Sequence, residues 1–325
     1  MESTTAARNT PACELHHGTI TILENQVFYV EMTQFTTLIN AAELAELKQS
    51  RPSNVKILDC RGRLGDADYG MQAYAAGHIP TASYLSLDDD LAAAAGAAGR
   101  HPLPDAAKLA ARLAGLGVNA ADQIVVYDDA GGAFAARAWW CVRWLGHAAV
   151  ALLDGGMSAW SGDLSTAAAD SAAANSAAAK FEPGNFQLRA SLTRTVDAAS
   201  LVASIAGHAA AGGNTYTLID ARTQARFDGL EEPIDAVAGH IPGAHCLPFQ
   251  ENLDAAGAFR TPAQLHERFA VCAAGSADVV SYCGSGVTAA HNILAMIVAG
   301  YPEPILYPGS WSEWIVDPAR PRSPD

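Results

Sequence analysis

The stretch Val279-Val280-Ser281-Tyr282-Cys283-Gly284-Ser285-Gly286-Val287-Thr288-Ala289-Ala290 decides how this chain is read. It begins apolar and β-branched, the pattern of a buried strand. It ends by entering 290–298, which reads as a helix. Cys283 stands where strand gives way to loop. Gly284 and Gly286 let the backbone turn tightly and aim its N–H groups inward. The following helix points its positive end at the same place. All three features favour an anion at the Cys283 sulfur, hence a thiolate over a thiol. Two readings of Cys283 are open, a nucleophile and a buried structural cysteine. The order strand, Cys, Gly-rich loop, helix favours the nucleophile.

Cysteine phosphatases use a similar cradle but need an Arg six positions after the Cys, to grip phosphate with two parallel bonds. Here that position is Ala289, and the loop 284–288 carries no charged side chain. A dianion such as phosphate is therefore expected to meet only backbone donors, from Gly284, Ser285, Gly286, Val287 and Thr288. The sequence Cys-Gly-Ser-Gly-Val-Thr-Ala resembles the active-site loop of the 3-mercaptopyruvate sulfurtransferases, in the rhodanese superfamily. The thiosulfate-using rhodaneses usually carry basic residues in this loop.

Working outward, 325 residues suggest about two domains. Half the residues are hydrophobic, enough for two sizeable cores. A net charge of −14 argues against nucleic acid as a partner. The six cysteines, at 13, 60, 141, 246, 272 and 283, form no Cys-x-x-Cys pair, so no metal site is expected. Their scatter suits a reducing compartment. No apolar run reaches membrane-spanning length and no secretory signal opens the chain. A cytoplasmic protein with no membrane partner is the expectation. Residues 1–34 match nothing that follows and read as an extension, either disordered or preceding the true start.

The remainder repeats. Ile57-Leu58-Asp59-Cys60-Arg61 recurs as Leu218-Ile219-Asp220-Ala221-Arg222, and Gly77-His78-Ile79-Pro80 as Gly239-His240-Ile241-Pro242. Ile124-Val125-Val126-Tyr127-Asp128 recurs as Val279-Val280-Ser281-Tyr282-Cys283, and the Gly-Gly-Met-Ser-Ala-Trp160 run as Pro-Gly-Ser-Trp-Ser-Glu-Trp314. Four landmarks in one order indicate a duplicated domain. Short apolar strands alternate with helical stretches, which predicts α/β units with a parallel sheet. The resemblance implies two tandem rhodanese-like domains, each a parallel sheet with helices on both faces. The expected bounds are 35–160 for an inactive domain and 181–325 for a catalytic one. Between them 161–180, rich in Ala and Ser, reads as a linker, or as an Ala-rich helix.

The first half holds Asp128 at the nucleophile position, and a carboxylate cannot carry a sulfane sulfur. Signatures shared by both halves, including Asp59, Asp220, His78 and His240, read as scaffold. Residues outside the symmetry are better functional candidates. Arg226-Phe227-Asp228-Gly229 is similar to the family's Arg-Phe-x-Gly stretch, which implies that Arg226 binds a substrate carboxylate. An Arg fork suits that task. The family's second Arg is missing, since Glu231-Glu232-Pro233-Ile234-Asp235 stands in its place. Arg222 or Arg100 is left to replace it. In the first half, Asp88 (within Leu87-Asp88-Asp89-Asp90) and His101 fall where the family keeps an Asp and a His. The resemblance implies a relay with Ser285, in which Asp88 fixes the tautomer of His101.

The function implied is sulfur transfer without metal or organic cofactor. Cys283 takes sulfur from 3-mercaptopyruvate as a persulfide, releases pyruvate, and passes the sulfur to cyanide, a thiol or a thioredoxin-like acceptor. The alternatives are a thiosulfate:cyanide sulfurtransferase and a non-catalytic persulfide carrier.

Overall fold

The computed structural model describes residues 19–23, 26–30, 34–166, 182–211, 216–273 and 278–324. The chain divides into two compact units, Met1–Gln34 and Phe35–Asp325. The first contains an antiparallel hairpin of β1 (Thr19–Leu23) and β2 (Gln26–Val30), with Leu23 opposite Gln26. Of the expected extension 1–34, residues 19–23 and 26–30 form these strands. Their signal was the alternation Thr-Ile-Thr-Ile and Val-Phe-Tyr-Val on either side of a two-residue connection.

The second unit holds the duplicated fold. Its first half runs β3 (Leu38–Ile39), α1 (Ala41–Ser50), β4 (Val55–Asp59), α2 (Tyr69–Ala76), β5 (Ser83–Tyr84), α3 (Ala106–Gly115), β6 (Gln123–Tyr127), α4 (Ala135–Trp144), β7 (Val150–Leu153) and α5 (Gly156–Ala159). The parallel sheet has the order β3-β7-β6-β4-β5. The second half runs α6 (Ala198–Ala211), β8 (Tyr216–Asp220), α7 (Gln224–Phe227), β9 (His245–Cys246), α8 (Pro262–Ala273), β10 (Asp278–Tyr282), α9 (Ala289–Val298), β11 (Ile305–Leu306) and α10 (Ser310–Trp314). Its parallel sheet has the order β11-β10-β8-β9. Thr195 makes a parallel bridge to Leu306 and so stands where β3 stands in the first sheet. The two sheets thus share one strand order.

Parallel strands need cover on both faces, and all five residues of β6 are buried. One face of each sheet carries its own apolar cluster, around Ile57, Val125 and Leu153 in the first half and Leu218, Val280 and Trp311 in the second. The inner faces share a single core that runs through α4 and α9, from Trp139 and Trp140 to Ile293 and Leu294. Helix α9 is buried from Ala289 to Met296, which is why it is apolar on every side except at His291 and Asn292, both hydrogen-bonded.

The duplicated signatures brace strand ends. Arg61 Nη2 donates to Asp59 Oδ2 at 2.6 Å and to Gly77 O at 2.7 Å. Arg222 Nη2 repeats this with Asp220 Oδ2 at 2.7 Å and Gly239 O at 2.7 Å. His78 stacks on Tyr74 and His240 on Phe227.

Of the expected linker, residues 167–180 lie outside the described residues. The chain at 182–192 still belongs to the first half: Gly184 N–H donates to Ala114 O, Phe186 N–H to Val118 O and Arg189 N–H to Leu145 O. The crossing to the second sheet comes at Arg194, whose O accepts from Leu306 N–H. Residues 184–192 thus satisfy part of their backbone on the first half.

Candidate active site

The loop 283–288 joins β10 to α9 and is held from behind. Cys283 N–H donates to Ser310 Oγ at 3.1 Å, and Cys283 O accepts from Trp311 N–H at 3.0 Å. Gly284 O accepts from Ser312 N–H at 2.8 Å. Gly286 has φ +78°, and a Cβ there would lie 2.3 Å from Pro308 O, so only glycine fits. Its N–H donates to Cys283 Sγ at 3.2 Å. Cys283 is 2% exposed. The N–H groups of Ser285, Val287 and Thr288 donate to no acceptor among the described residues.

The first half shows what this cradle holds. Asp128 replaces the cysteine, and its carboxylate accepts from four backbone N–H groups: Ala130 at 2.9 Å, and Gly132, Phe134 and Ala135 at 2.8 Å each. Burial pushes this carboxyl up, further than the four donors pull it back. Both oxygens act as acceptors, the arrangement of an anion. The loop after β6, like its counterpart after β10, is thus an anion cradle, filled by a carboxylate in one half and by sulfur in the other.

The cations around Cys283 come from outside the loop. The guanidiniums of Arg100 and Arg226 press on Gly284, where an added Cβ would meet Arg100 Nη2 at 3.1 Å and both Arg226 Nη atoms at 3.5 Å. The expectation that a dianion meets only backbone donors is corrected: one charge arrives from each half. Arg226 donates to Glu232 Oε1 at 2.7 Å and to Asp235 Oδ2 at 3.0 Å. Arg100 pairs with the same Asp235 through Nη1, and its Nε is buried without a partner among the described residues. Burial pushes the Glu232 carboxyl up, but the Arg226 bond and the N–H groups of Asp235 and Ile234 outweigh it and leave it below the usual range. Arg222 is elsewhere. Its donors are committed to Asp220, Gly239 O and Glu232, so it braces the scaffold and is not placed to act as a second clamp.

His101 Nδ1 lies 2.7 Å from Ser285 Oγ. Burial, with the charges of Arg100 and Arg137 adding to it, holds the His101 imidazole down at about 4. Asp88 Oδ1 is 3.6 Å from His101 Nε2, beyond a normal hydrogen bond, and Asp88 is 59% exposed. Asp90 is turned away to Arg112 and Ser86. The structure therefore joins Ser285 to His101 closely and Asp88 to His101 loosely.

Sequence reasoning missed Arg137, Glu232, Asp235 and Ser310. Arg137 is fully buried on α4 and has no ion pair among the described residues; it donates to Gly286 O at 3.0 Å, His101 O at 3.1 Å, Leu91 O and Pro102 O. A charge inside the otherwise apolar run 133–142 was its signal. The acidic run after Arg226 was visible but read only as a missing arginine.

The description "Rhodanese-like domain" matches two regions, 40–163 and 205–317. A Pseudomonas aeruginosa protein named as a 3-mercaptopyruvate sulfurtransferase is 47% identical over 289 residues, covering 87% of this chain and 96% of that protein. SseB of Mycobacterium tuberculosis, a thiosulfate sulfurtransferase by name, is 42% identical over 291 residues, covering 87% of this chain and 95% of that protein. The crystal structure of SseA from Escherichia coli, described among 3-mercaptopyruvate sulfotransferases, superposes with TM-score 0.69 at 28% identity over 86% of this chain and 100% of that one. With two matched domains, one strand order in both sheets and a cysteine in only one of two equivalent cradles, this chain belongs to the rhodanese family.

Proposed function

We propose that the protein is a 3-mercaptopyruvate sulfurtransferase acting through a Cys283 persulfide. The observation that carries this is the Gly286 N–H on Cys283 Sγ at 3.2 Å beneath two arginines. Cys283 thiolate attacks the donor sulfur and the donor C–S bond breaks. The electron pair stays on carbon, as pyruvate enolate. Arg226, with Arg100, holds the donor carboxylate. Ser285, hydrogen-bonded to His101, delivers the proton that converts enolate to pyruvate. The loop N–H groups of Ser285, Val287 and Thr288 hold charge on the outer sulfur. A thiol or thioredoxin-like acceptor, or cyanide, then attacks that sulfur and regenerates Cys283. No metal or organic cofactor enters this scheme.

Thiosulfate is the second donor to consider, favoured by the two guanidiniums over Gly284 and by the name of the Mycobacterium tuberculosis relative. The proposal includes work in a reducing cytoplasm. Among the described residues all five cysteines are unpaired, and no helix is long and apolar enough to cross a membrane. Intact-mass analysis after donor treatment is expected to show one added sulfur on Cys283, absent in Cys283→Ser. A side-by-side kcat/KM for mercaptopyruvate and thiosulfate, with cyanide as acceptor, is expected to favour mercaptopyruvate. Sulfur on another cysteine, or a preference for thiosulfate, refutes the corresponding part.

A further inference from the structure

The two arginines over Gly284 are already paired with carboxylates of the chain itself. Asp235 is shared by both, Arg100 from the first half and Arg226 from the second, and its side chain is 3% exposed. Glu232, equally enclosed, takes the other face of Arg226 and also faces Arg222, whose own partner is Asp220. Three guanidiniums thus stand against three carboxylates. The charge that the loop sequence appeared to lack is present, and then cancelled. This acidic segment has no counterpart in the duplicated pattern, so it is not scaffold common to both halves.

We propose that Asp235 determines the charge of the sulfur donor that the site accepts, admitting a monoanion and resisting a dianion. A donor anion that reaches Arg100 and Arg226 comes close to the Asp235 carboxylate as well. Repulsion in a partly buried site grows with the product of the charges. Thiosulfate, with two charges, feels Asp235 twice as strongly as a donor with one carboxylate. Each added charge must also displace or share the bonds that Asp235 makes with both arginines. A specificity filter of this kind works by rejecting the competitor. The proposal rests on the reading of Cys283 as nucleophile and Arg226 as donor clamp.

The test is Asp235→Asn, which keeps the shape and one acceptor oxygen but removes the charge. If kcat/KM for mercaptopyruvate changes by some factor, that for thiosulfate is expected to rise by about its square, so the thiosulfate-to-mercaptopyruvate ratio rises about tenfold or more. The change should fall on KM, and sulfate should become a stronger competitive inhibitor. A ratio within about twofold of wild type, or an equal rise for both donors, overturns the proposal. So does a parallel fall in kcat for both, which would make Asp235 a positioning residue only. Wild-type protein provides a check that does not depend on the variant folding: pyruvate should compete with the donor at least about tenfold better than sulfate, and equal inhibition overturns the proposal. Persulfide formation and turnover in the wild type test the nucleophile and clamp separately. An active enzyme with a silent Asp235→Asn therefore refutes only the role of Asp235.

Discussion

Asp128 and Cys283 occupy equivalent cradles, and the chemistry divides at that single side chain. Four N–H groups converge on the Asp128 carboxylate, and in the proposed mechanism only sulfur in that place can be both attacked and released. Truncating Arg226 to Ala should lower kcat/KM for mercaptopyruvate by about one to two orders of magnitude, as a charge-assisted contact of about 1.5–3 kcal/mol requires. Alkylation of Cys283 by neutral iodoacetamide should scarcely change. If both slow together, Arg226 supports the thiolate and not the donor. At Asp88 the geometry predicts little. The residue is 59% exposed and 3.6 Å from His101, so Asp88→Asn should lower kcat by at most about fivefold. A loss of a hundredfold would mean that Asp88 closes on His101 during turnover.

At the scale of elements, the helices after the two cradles latch each other. Arg137 on α4 donates to Gly286 O in the catalytic loop. His291, in the equivalent place on α9, bonds Gly131 O in the first loop at 3.0 Å through Nε2. Each helix so fixes the loop of the opposite half, and both glycines have positive φ. Arg137→Met should cost about 3 kcal/mol or more in urea unfolding, since three buried carbonyls and a half-buried one lose their donor, and kcat should fall with it because Gly286 also supplies the N–H on sulfur. His291 is held down at about 4 by burial, against an ordinary 6.5. Its folded value lies below its unfolded value, so the unfolded chain binds more protons between them. The stability it contributes is full above pH 6.5 and is lost as pH falls toward 4. His101 behaves in the same way. His291→Gln should therefore reduce the slope of unfolding free energy against pH, near pH 5, by about 1.4 kcal/mol per unit. An unchanged slope would mean that His291 is already protonated in the native protein.

Both halves of the duplicated unit are needed to bring these groups together. Arg100, His101 and Arg137 come from the first half, Cys283, Ser285 and Arg226 from the second, and one apolar core runs through both. Expressed alone, residues 193–325 should lose at least about a hundredfold in kcat/KM and bind a hydrophobic dye on the face of α9 that α4 covers. Full activity in that fragment would place every essential group in the second half. Removing residues 1–33 leaves the duplicated unit with its own cores, so Tm and kcat/KM should stay close to those of the full chain.

Much of this was legible in the sequence, because it depends on short-range pattern. Strand and helix periodicity, the two glycines beside Cys283 and the four recurring landmarks each act over a few tens of residues. They determined two parallel α/β domains, the nucleophile candidate and its counterpart Asp128. The backbone partners of the segment 182–192 lie on the first half and leave no mark on local composition. The electrostatics of the site belonged wholly to the tertiary structure. Arg100 and Asp235 are 135 positions apart, and nothing in either neighbourhood says that they meet. An ion pair, unlike a periodic face, depends on how two halves dock. Docking is what turned an uncharged loop into a cradle under two arginines, held His101 neutral and laid Asp235 across both cations.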